Sequence, residues 1–280
     1  MLTTSDHSRQ RAGLTYVYPV LSRRAGGLSI GINLNPNNAC NWRCIYCQVP
    51  DLVRGSAPAI DLPLLDRELR ELVGDVLHND YLQKHVPAGL QRLNDIALSG
   101  NGEPTSAREI EAVVELIGRT RQDLLVPNTV KTVLITNGSL VQRRNVKAGL
   151  RRLAEMNGEV WFKVDRTTDA GIRAVNSVAT SIATIRRNLQ TAASLCPTWI
   201  QTCMFALDGQ PPSASEIEAY LAFLSDIRGR GISIQGVLLY GIARPSLQPE
   251  APRLSPLPAD WMHNLGERIA ALGYAAKVTP

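Results

Sequence analysis

The sequence predicts an α/β fold in which parallel strands and helices alternate to form a partial (β/α)6 TIM-like barrel. Two observations support this prediction. Short runs rich in β-branched residues recur along the chain, and longer segments with helical periodicity separate them. About six such units favour a barrel, complete or partial. With 280 residues, of which 44% are hydrophobic, the chain is long enough for one such domain or for two smaller ones.

The predicted strands are short and mostly apolar, and several end at polar turn residues. They cover residues 28–34, 95–99, 130–136, 159–164, 199–207 and 233–240, with a last short strand at 274–278. The predicted helices carry apolar residues at helical spacing, as 64–77 does with Leu65, Leu69, Leu72, Val73 and Val76. The other predicted helices are 107–117, 140–156, 182–195 and 216–227.

We expect three regions along the chain. Residues 1–27 form an N-terminal extension without a clear pattern, and 28–245 form the core barrel. Residues 246–280 form a C-terminal loop with a helix and strand that complete the barrel. Residues 245–258, rich in Pro and Ser, are predicted to be a surface loop or lid.

Composition narrows the function classes. Aromatic residues make up 5% of the chain, which disfavours a large stacking surface for single-stranded nucleic acid. The net charge of +5 suits an anionic substrate, a phosphate group or RNA, and it is equally consistent with an Arg-rich solvated surface. An odd number of cysteines and the lack of an apolar N-terminal run predict a cytoplasmic protein. No run approaches the roughly 18 apolar residues of a membrane span.

Three cysteines lie within eight residues, in the run C-N-W-R-C-I-Y-C: Cys40, Cys44 and Cys47. Iron–sulfur clusters are held by cysteine thiolates. Three thiolates on a [4Fe-4S] cluster leave one iron with an open position, where a substrate or cofactor can bind. The triplet therefore predicts a cluster with an open iron.

The competing interpretation of the triplet is a structural zinc site, which needs four ligands. The candidate fourth ligands are His78, His85, Cys196 and Cys203, and none stands at zinc-finger spacing. Cys196 and Cys203 are interpreted as buried small apolar residues.

Polar motifs follow the first four predicted strands, and the carboxyl ends of barrel strands form one rim where active sites lie. The cysteine loop follows the first strand and Ser-Gly-Asn-Gly-Glu-Pro the second. Thr136-Asn137-Gly138 follows the third, and Asp165 follows the fourth. Glycines allow close backbone approach to a ligand, and Glu103 can accept hydrogen bonds from an ammonium group.

The C-x3-C-x2-C spacing, with the Gly-Asn-Gly-Glu-Pro turn, resembles the radical S-adenosylmethionine (radical SAM) superfamily over roughly residues 18–240. The resemblance implies the radical SAM core barrel, a [4Fe-4S] cluster on the three cysteines and S-adenosylmethionine on the open iron. It also implies reductive cleavage to a 5′-deoxyadenosyl radical that abstracts hydrogen from a substrate. An oxidoreductase-type enzyme supplied with electrons by a flavodoxin or ferredoxin is the expectation.

The resemblance also assigns cofactor-binding roles. Tyr46 matches an aromatic residue beside the adenine, with loop packing as the alternative. The turn of Gly100, Asn101, Gly102, Glu103 and Pro104 is similar to the G-G-E-P element that binds the methionine amino group. Thr136 and Asn137 either contact the cofactor or only form a turn. Lys163 and Asp165, with Arg166, either contact the ribose or the methionine carboxylate, or form a salt-bridged strand end.

Residues 19–34 and 241–246 are similar to the wyosine-synthase-like radical enzymes that modify tRNA. Arg23, Arg24 and Arg244 are therefore candidates for anchoring a carboxylate or phosphate, or are surface arginines. The pattern departs from true wyosine synthases because no cysteine precedes Cys40 for a second cluster. A lysine to hold pyruvate is also required there, and only Lys163 stands at a strand end.

The leading hypothesis is a radical SAM enzyme acting on a small or nucleotide-like substrate. A tRNA-modifying enzyme of wyosine-synthase type is one alternative. A non-catalytic iron–sulfur or zinc protein that binds RNA or a protein partner is the other, and metal content distinguishes it from an enzyme.

Overall fold

The structure is a computed structural model that describes residues 2–3, 13–22 and 26–280. Strands and helices alternate along the chain. The strands are β1 (Val17–Ser22), β2 (Gly27–Ile32), β3 (Ala39–Cys40), β4 (Val53–Arg54), β5 (Leu93–Leu98), β6 (Lys131–Thr136), β7 (Gly158–Lys163), β8 (Thr198–Met204), β9 (Ala206–Leu207), β10 (Gly236–Gly241), β11 (Leu254–Ser255) and β12 (Ala276–Thr279).

Except for one five-residue helix that buries no residue, the helices pack apolar side chains into the interior. They are α1 (Leu62–His78), α2 (Tyr81–His85), α3 (Ile110–Asp123), α4 (Arg144–Glu155), α5 (Asp169–Asn176), α6 (Ile182–Leu195), α7 (Ala214–Gly229) and α8 (Ala259–Ala271). No helix in the described ranges has the length and apolar character needed to cross a membrane.

The chain forms two compact units, which we describe separately. The first unit consists of Met1–Asn41, Gly55–Ile135 and Arg143–Glu159, and the second of Trp42–Arg54, Thr136–Gln142 and Val160–Pro280. The division predicted from sequence, into 1–27, 28–245 and 246–280, stays a prediction.

In the first unit, β2 pairs with β5 and β5 with β6, all parallel, while β1 pairs antiparallel with β2. The Tyr18 ring of β1 lies over Gly31 of β2, where any side chain would collide with it. The buried Glu68 of α1 accepts hydrogen bonds from the backbone N–H groups of Thr15, Tyr16 and Val17 at 2.7–3.2 Å. That carboxylate thus fixes the start of β1.

In the second unit, β7, β8, β10 and β12 pair in that order, and every pair is parallel. Helix α7 packs against one side of β8, where the hydroxyls of Thr202 and Tyr220 lie 2.6 Å apart. The predicted strand 199–207 is interrupted at Phe205, and its last residues form β9, which pairs antiparallel with β11. The predicted loop 245–258 contains β11 and a short 3-10 turn at Ala251–Arg253.

Among the strands and helices longer than three residues, β1, α2 and α5 were not predicted, and neither were the two-residue strands β3, β4 and β11. Strand β1 contains Pro19, which counts against a strand in a sequence pattern. Proline is tolerated here because β1 pairs with one neighbour, so Pro19 lies in an edge strand of its unit. Helices α2 and α5 are too short to show a convincing helical period, at 5 and 8 residues.

Candidate functional site

The cysteine loop begins at the end of β3 and carries three half-buried thiols. None of the five cysteines, all of which lie in the described part of the chain, forms a disulfide. Cys40 belongs to the first unit, whereas Cys44 and Cys47 belong to the second. The Cys47 N–H donates to the Cys44 carbonyl at 2.9 Å, which closes a tight turn between these two cysteines.

In the first unit, asparagines after β2 bind the turn after β5. The Asn33 side-chain oxygen accepts hydrogen bonds from the backbone N–H groups of Asn35 at 3.1 Å and Asn101 at 2.9 Å. The Asn101 amide donates in turn to the Asn38 side chain at 2.6 Å. These bonds join the polar segments that follow two adjacent parallel strands.

The glycines of the Gly100–Pro104 turn pack against the chain just before Cys40. A Cβ on Gly102 would lie 2.1 Å from the Ala39 carbonyl oxygen, and one on Gly100 would lie 2.3 Å from the Asn33 side-chain oxygen. The sequence predicted close approach to a ligand; the approach seen within this unit is to the protein's own loop. The turn and the chain leading to Cys40 are thereby held in one arrangement.

Glu103 is the acidic residue of that turn, and its side chain is 2% exposed. Its Oε1 accepts hydrogen bonds from Thr105 N at 3.1 Å and Thr105 Oγ1 at 2.6 Å. These bonds fix the carboxylate at the start of the 3-10 turn Pro104–Ser106.

In the second unit, the last turn of α5 contacts the cysteine loop. The Ile45 N–H donates to the Val175 carbonyl at 2.9 Å. The Asn176 amide donates to Cys44 Sγ at 3.2 Å and to Asp165 Oδ2 at 2.9 Å. Burial raises the pKa of the Cys44 thiol to about 12, while the nearby Lys163 charge opposes the shift. In the protein without bound metal, Cys44 is therefore a neutral thiol.

Asp165, just after β7, is the centre of this polar cluster and is buried. It accepts hydrogen bonds from Tyr46 Oη at 2.5 Å and from the Cys203 backbone N–H at 3.0 Å, besides the one from Asn176. Two predicted site residues, Tyr46 and Asp165, are thus in direct contact. Burial, with the Asp165 charge, raises the pKa of Tyr46 well above its usual value.

Lys163 is half-buried at the end of β7, beside two tyrosines. Its Nζ donates to Tyr240 Oη at 3.0 Å and lies 4.9 Å from the centre of the Tyr46 ring. Burial lowers the pKa of Lys163, but the negative charge of Asp165 and the neighbouring acidic groups raise it by more, so that it stays above its usual value. Lys163 is therefore a charged ammonium group at neutral pH.

Thr136 and Asn137 form the turn after β6, and both are buried. Thr136 Oγ1 accepts from the Gly138 N–H at 2.9 Å, and Asn137 Oδ1 accepts from Ser139 N at 3.0 Å. Gly138 has φ +70° and lies against the Phe162 ring, which leaves no space for a side chain. These contacts build the turn that the Asn-Gly pair predicted; a cofactor contact by Thr136 or Asn137 stays a prediction.

The segment 246–250, within the predicted lid, binds the cysteine loop. The Cys47 carbonyl accepts hydrogen bonds from Ser246 Oγ at 3.1 Å and from the Leu247 N–H at 2.9 Å. Ser246 Oγ also donates to the Ile45 carbonyl at 2.7 Å, and Gln248 Nε2 donates to the Val49 carbonyl at 3.1 Å.

An ion pair adds to the contacts between segment 246–250 and the cysteine loop. Arg43 and Glu250 form a two-pronged pair at 2.8 Å on both branches. The pairing raises the pKa of Arg43 and lowers that of Glu250. Segment 246–250 therefore acts as a clamp on the backbone of the loop that carries Cys44 and Cys47.

The remaining candidates divide into buried cysteines and arginines. Cys196 and Cys203 are 3% and 0% exposed, which confirms their interpretation as buried residues. Arg244 contributes its carbonyl, which accepts from Gln48 Nε2 at 3.1 Å. Arg23 and Arg24 lie outside the described residues.

Asp165→Asn tests how far this cluster depends on the carboxylate. We expect the free energy of unfolding to fall by about 2–4 kcal/mol, because a buried ionic acceptor of several hydrogen bonds becomes a neutral amide. Urea denaturation of the iron-free protein measures the change. Asp51→Asn, at an exposed position with φ 48° that Asn also tolerates, is the control. Equal urea midpoints for Asp165→Asn and Asp51→Asn would contradict the role of Asp165 as the centre of this cluster.

The clamp makes a second prediction. Ser246→Ala removes the hydroxyl whose single proton the Ile45 and Cys47 carbonyls share, so we expect iron to be lost to a chelator roughly 3–10-fold faster from the reconstituted protein. The decay of the visible absorbance after chelator addition gives this rate. Ser194→Ala, at an exposed serine of α6, should leave the rate unchanged. Equal rates for Ser246→Ala and the unmodified chain would show that the clamp has no such role.

Comparison with known proteins gives partial sequence relatives. No family model matches the chain. It is 28% identical to the GTPase Obg of Brachyspira hyodysenteriae over 132 residues, 47% of this chain and 17% of that protein. It is 29% identical to a UPF0026 protein of Methanocaldococcus jannaschii over 164 residues, 56% of this chain and 42% of that protein. The matched regions thus span less than half of either relative, and the sequence has no Gly-Lys pair and hence no P-loop motif.

The solved structures it resembles cover far more of the chain. They include TYW1 with a lysine–pyruvate adduct bound (TM-score 0.57, 14% identity, 87% of this chain and 73% of that one). They also include SuiB of Streptococcus suis bound to S-adenosylmethionine (TM-score 0.52, 12% identity, 89% of this chain and 45% of that one). A third is a radical SAM methyltransferase from Sphaerobacter thermophilus (TM-score 0.51, 15% identity, 94% of this chain and 68% of that one).

These likenesses establish the fold. The chain has the α/β partial barrel of parallel strands found in radical SAM enzymes, as its sequence predicted. The resemblance inferred from the cysteine spacing and the Gly-Asn-Gly-Glu-Pro turn is thereby confirmed at the level of the fold.

Proposed function

We propose that this chain is a radical SAM enzyme that abstracts hydrogen from a small or nucleotide-like substrate. One observation carries the proposal: on a barrel of this fold, the segment after β2 carries three cysteines at C-x3-C-x2-C spacing, none of them in a disulfide, and the turn after β5 carries a buried carboxylate. Both follow carboxyl ends of strands, the rim where the chemistry of such barrels lies.

The donor set fits a [4Fe-4S] cluster. Cys40, Cys44 and Cys47 form no disulfide, and the Asn176 N–H directed at Cys44 Sγ is the kind of hydrogen bond that tunes cluster sulfurs. Within the described ranges, no three His, Cys, Asp or Glu side chains are already arranged as a metal site. Binding of the metal would remove the protons from the three thiols.

The chemistry that the cluster and S-adenosylmethionine supply when bound is a 5′-deoxyadenosyl radical. The protein's residues bind and orient the cofactor and shield its reaction from water. We assign the three cysteines to the cluster and Glu103 to the methionine ammonium group. Tyr46 is assigned to the adenine, with Asp165 holding its hydroxyl.

The other assignments of the cofactor site rest on the resemblance. Gly100, Asn101, Gly102 and Pro104 shape the Glu103 turn, while Thr136, Asn137 and Lys163 are proposed as further contacts. An iron-containing oxidoreductase of this kind needs an electron donor, for which a flavodoxin or ferredoxin is proposed. Five free cysteines suit a reducing compartment such as the cytoplasm.

A tRNA-modifying enzyme of wyosine-synthase type is a second candidate, favoured by the similarity to TYW1. A lysine–pyruvate adduct, as named for that structure, requires a neutral lysine amine as nucleophile. The charges around Lys163 instead favour its ammonium form. This lysine is therefore better suited to bind an anion than to form an adduct.

Metal analysis and electron paramagnetic resonance test the proposal. Anaerobically reconstituted protein should hold about four irons and four sulfides per chain. After reduction, addition of S-adenosylmethionine should change the spectrum of the cluster, because the ligand binds the open iron. Stoichiometric zinc without iron would support the non-catalytic RNA- or protein-binding alternative instead.

A further inference from the structure

The second unit carries a polar and aromatic face of which the proposed cofactor site uses Lys163 alone. In parallel strands, paired residues point to the same side of the sheet, and the side alternates along each strand. Trp161 pairs with Trp199 across β7 and β8, and Lys163 pairs with Gln201. We call Trp161, Lys163, Trp199, Gln201, Tyr240 and Lys277 the tryptophan–lysine face.

Observed contacts confirm that these residues share one side. Lys163 Nζ reaches Tyr240 Oη at 3.0 Å, and Lys277 Nζ lies 4.3 Å from the centre of the Trp199 ring. The alternate residue Thr202 instead points to α7, through the Tyr220 hydroxyl. Helix α7 therefore covers the opposite side of β8.

Gln201 is an unpartnered amide on this face. Its side chain is 1% exposed, and its Nε2 has no hydrogen-bond partner. Leaving a buried amide without a partner is unfavourable, so such groups call for an explanation. A bound molecule with a carbonyl or ring-nitrogen acceptor at this point would satisfy it.

The face also carries an exposed cation, Lys277. Among residues of the described ranges, no carboxylate lies within ion-pair distance of Lys277, whose contact is the Trp199 ring. An ammonium group beside an aromatic ring suits a ligand that joins an anionic group to a planar ring. Trp161 and Trp199 are both half-exposed and offer ring surface for stacking.

We propose that the tryptophan–lysine face binds a nucleotide, a phosphorylated molecule with a planar base, as the substrate. The base stacks on the tryptophans and accepts a hydrogen bond from Gln201, while Lys277 holds the phosphate. Calling this ligand the substrate rests on the proposed function, whereas its binding is measured without turnover.

Isothermal titration calorimetry on the reconstituted full chain tests the inference, with AMP, GMP, CMP and UMP as probes. At least one of these nucleotides should bind. The matching nucleoside, which lacks the phosphate, should bind roughly 10-fold more weakly. Added salt should lower the affinity for the nucleotide. Gln201→Leu should weaken binding roughly 10-fold. Its melting temperature should stay the same or rise, because the unpartnered amide is gone. If Gln201 had a purely structural role, Gln201→Leu would lower both the nucleotide affinity and the melting temperature.

Lys277→Gln should also weaken nucleotide binding, whereas Lys84→Gln, an exposed lysine paired with Asp80, is the matched control and should not. The inference is overturned if no mononucleotide binds, if both face variants bind like the unmodified chain, or if only tRNA binds. A protein that binds nucleotide but does not cleave S-adenosylmethionine would overturn the proposed function alone.

Discussion

Replacing Cys40, Cys44 or Cys47 individually by Ala reduces the iron of the reconstituted protein from about four per chain to well under one. In the proposed cluster each thiolate holds one iron, and we expect two thiolates to be too few to keep the cluster against exchange with solvent and chelators. Since the cofactor carries the chemistry, cleavage of S-adenosylmethionine falls below roughly one-hundredth of the original rate. Iron and acid-labile sulfide assays, with the visible spectrum, measure the first effect.

Cys196→Ala is the matched control, because Cys196 is a buried free cysteine in the second unit at the end of α6. We expect it to keep the full iron content at a small cost in stability. Full iron in any of the three triplet variants, or an equal loss in Cys196→Ala, would show that the triplet is not the ligand set.

Glu103→Gln has the second largest expected effect. The change keeps the size of the side chain and an oxygen for the Thr105 bonds, but it removes the negative charge that the methionine ammonium group requires. A hydrogen bond to a charged group contributes about 1.5–3 kcal/mol, so we expect binding of S-adenosylmethionine to weaken roughly 10–100-fold. Equilibrium binding to the cluster-loaded, unreduced protein gives this number.

Glu115→Gln makes the same change at an exposed position of α3 and should not alter binding. Iron content should be equal in both variants, which separates cofactor binding from cluster loading. If Glu103→Gln binds S-adenosylmethionine as the unmodified chain does, the carboxylate has only its structural role beneath Thr105.

The fold could be predicted because its signals are local. Each helix of the first unit that exceeds ten residues has a continuous apolar stripe, such as Leu65, Leu69 and Leu72 in α1. Strand β1 escaped because Pro19 argues against a strand, although an edge position tolerates it. The eight residues of α5 give too few turns for a period to be visible.

The candidate site was only partly predictable, for a related reason. The triplet and the Glu103 turn are compact local motifs, and their resemblance to the radical SAM pattern implies their chemistry. Asn176 is 132 residues from Cys44, and Ser246 is 199 residues from Cys47. No local pattern links such pairs, because tertiary folding alone brings them together. The asparagine-rich run Asn33, Asn35 and Asn38 after β2 was the one local signal left unused.

The central claim is that this chain generates a 5′-deoxyadenosyl radical. The most direct measurement is anaerobic incubation of the cluster-loaded protein with S-adenosylmethionine and dithionite, followed by quantification of 5′-deoxyadenosine. We predict 5′-deoxyadenosine that depends on reductant and cluster and is absent from the Cys40→Ala protein. If the loaded protein with Glu103 intact releases none, the assignment of the cofactor is wrong.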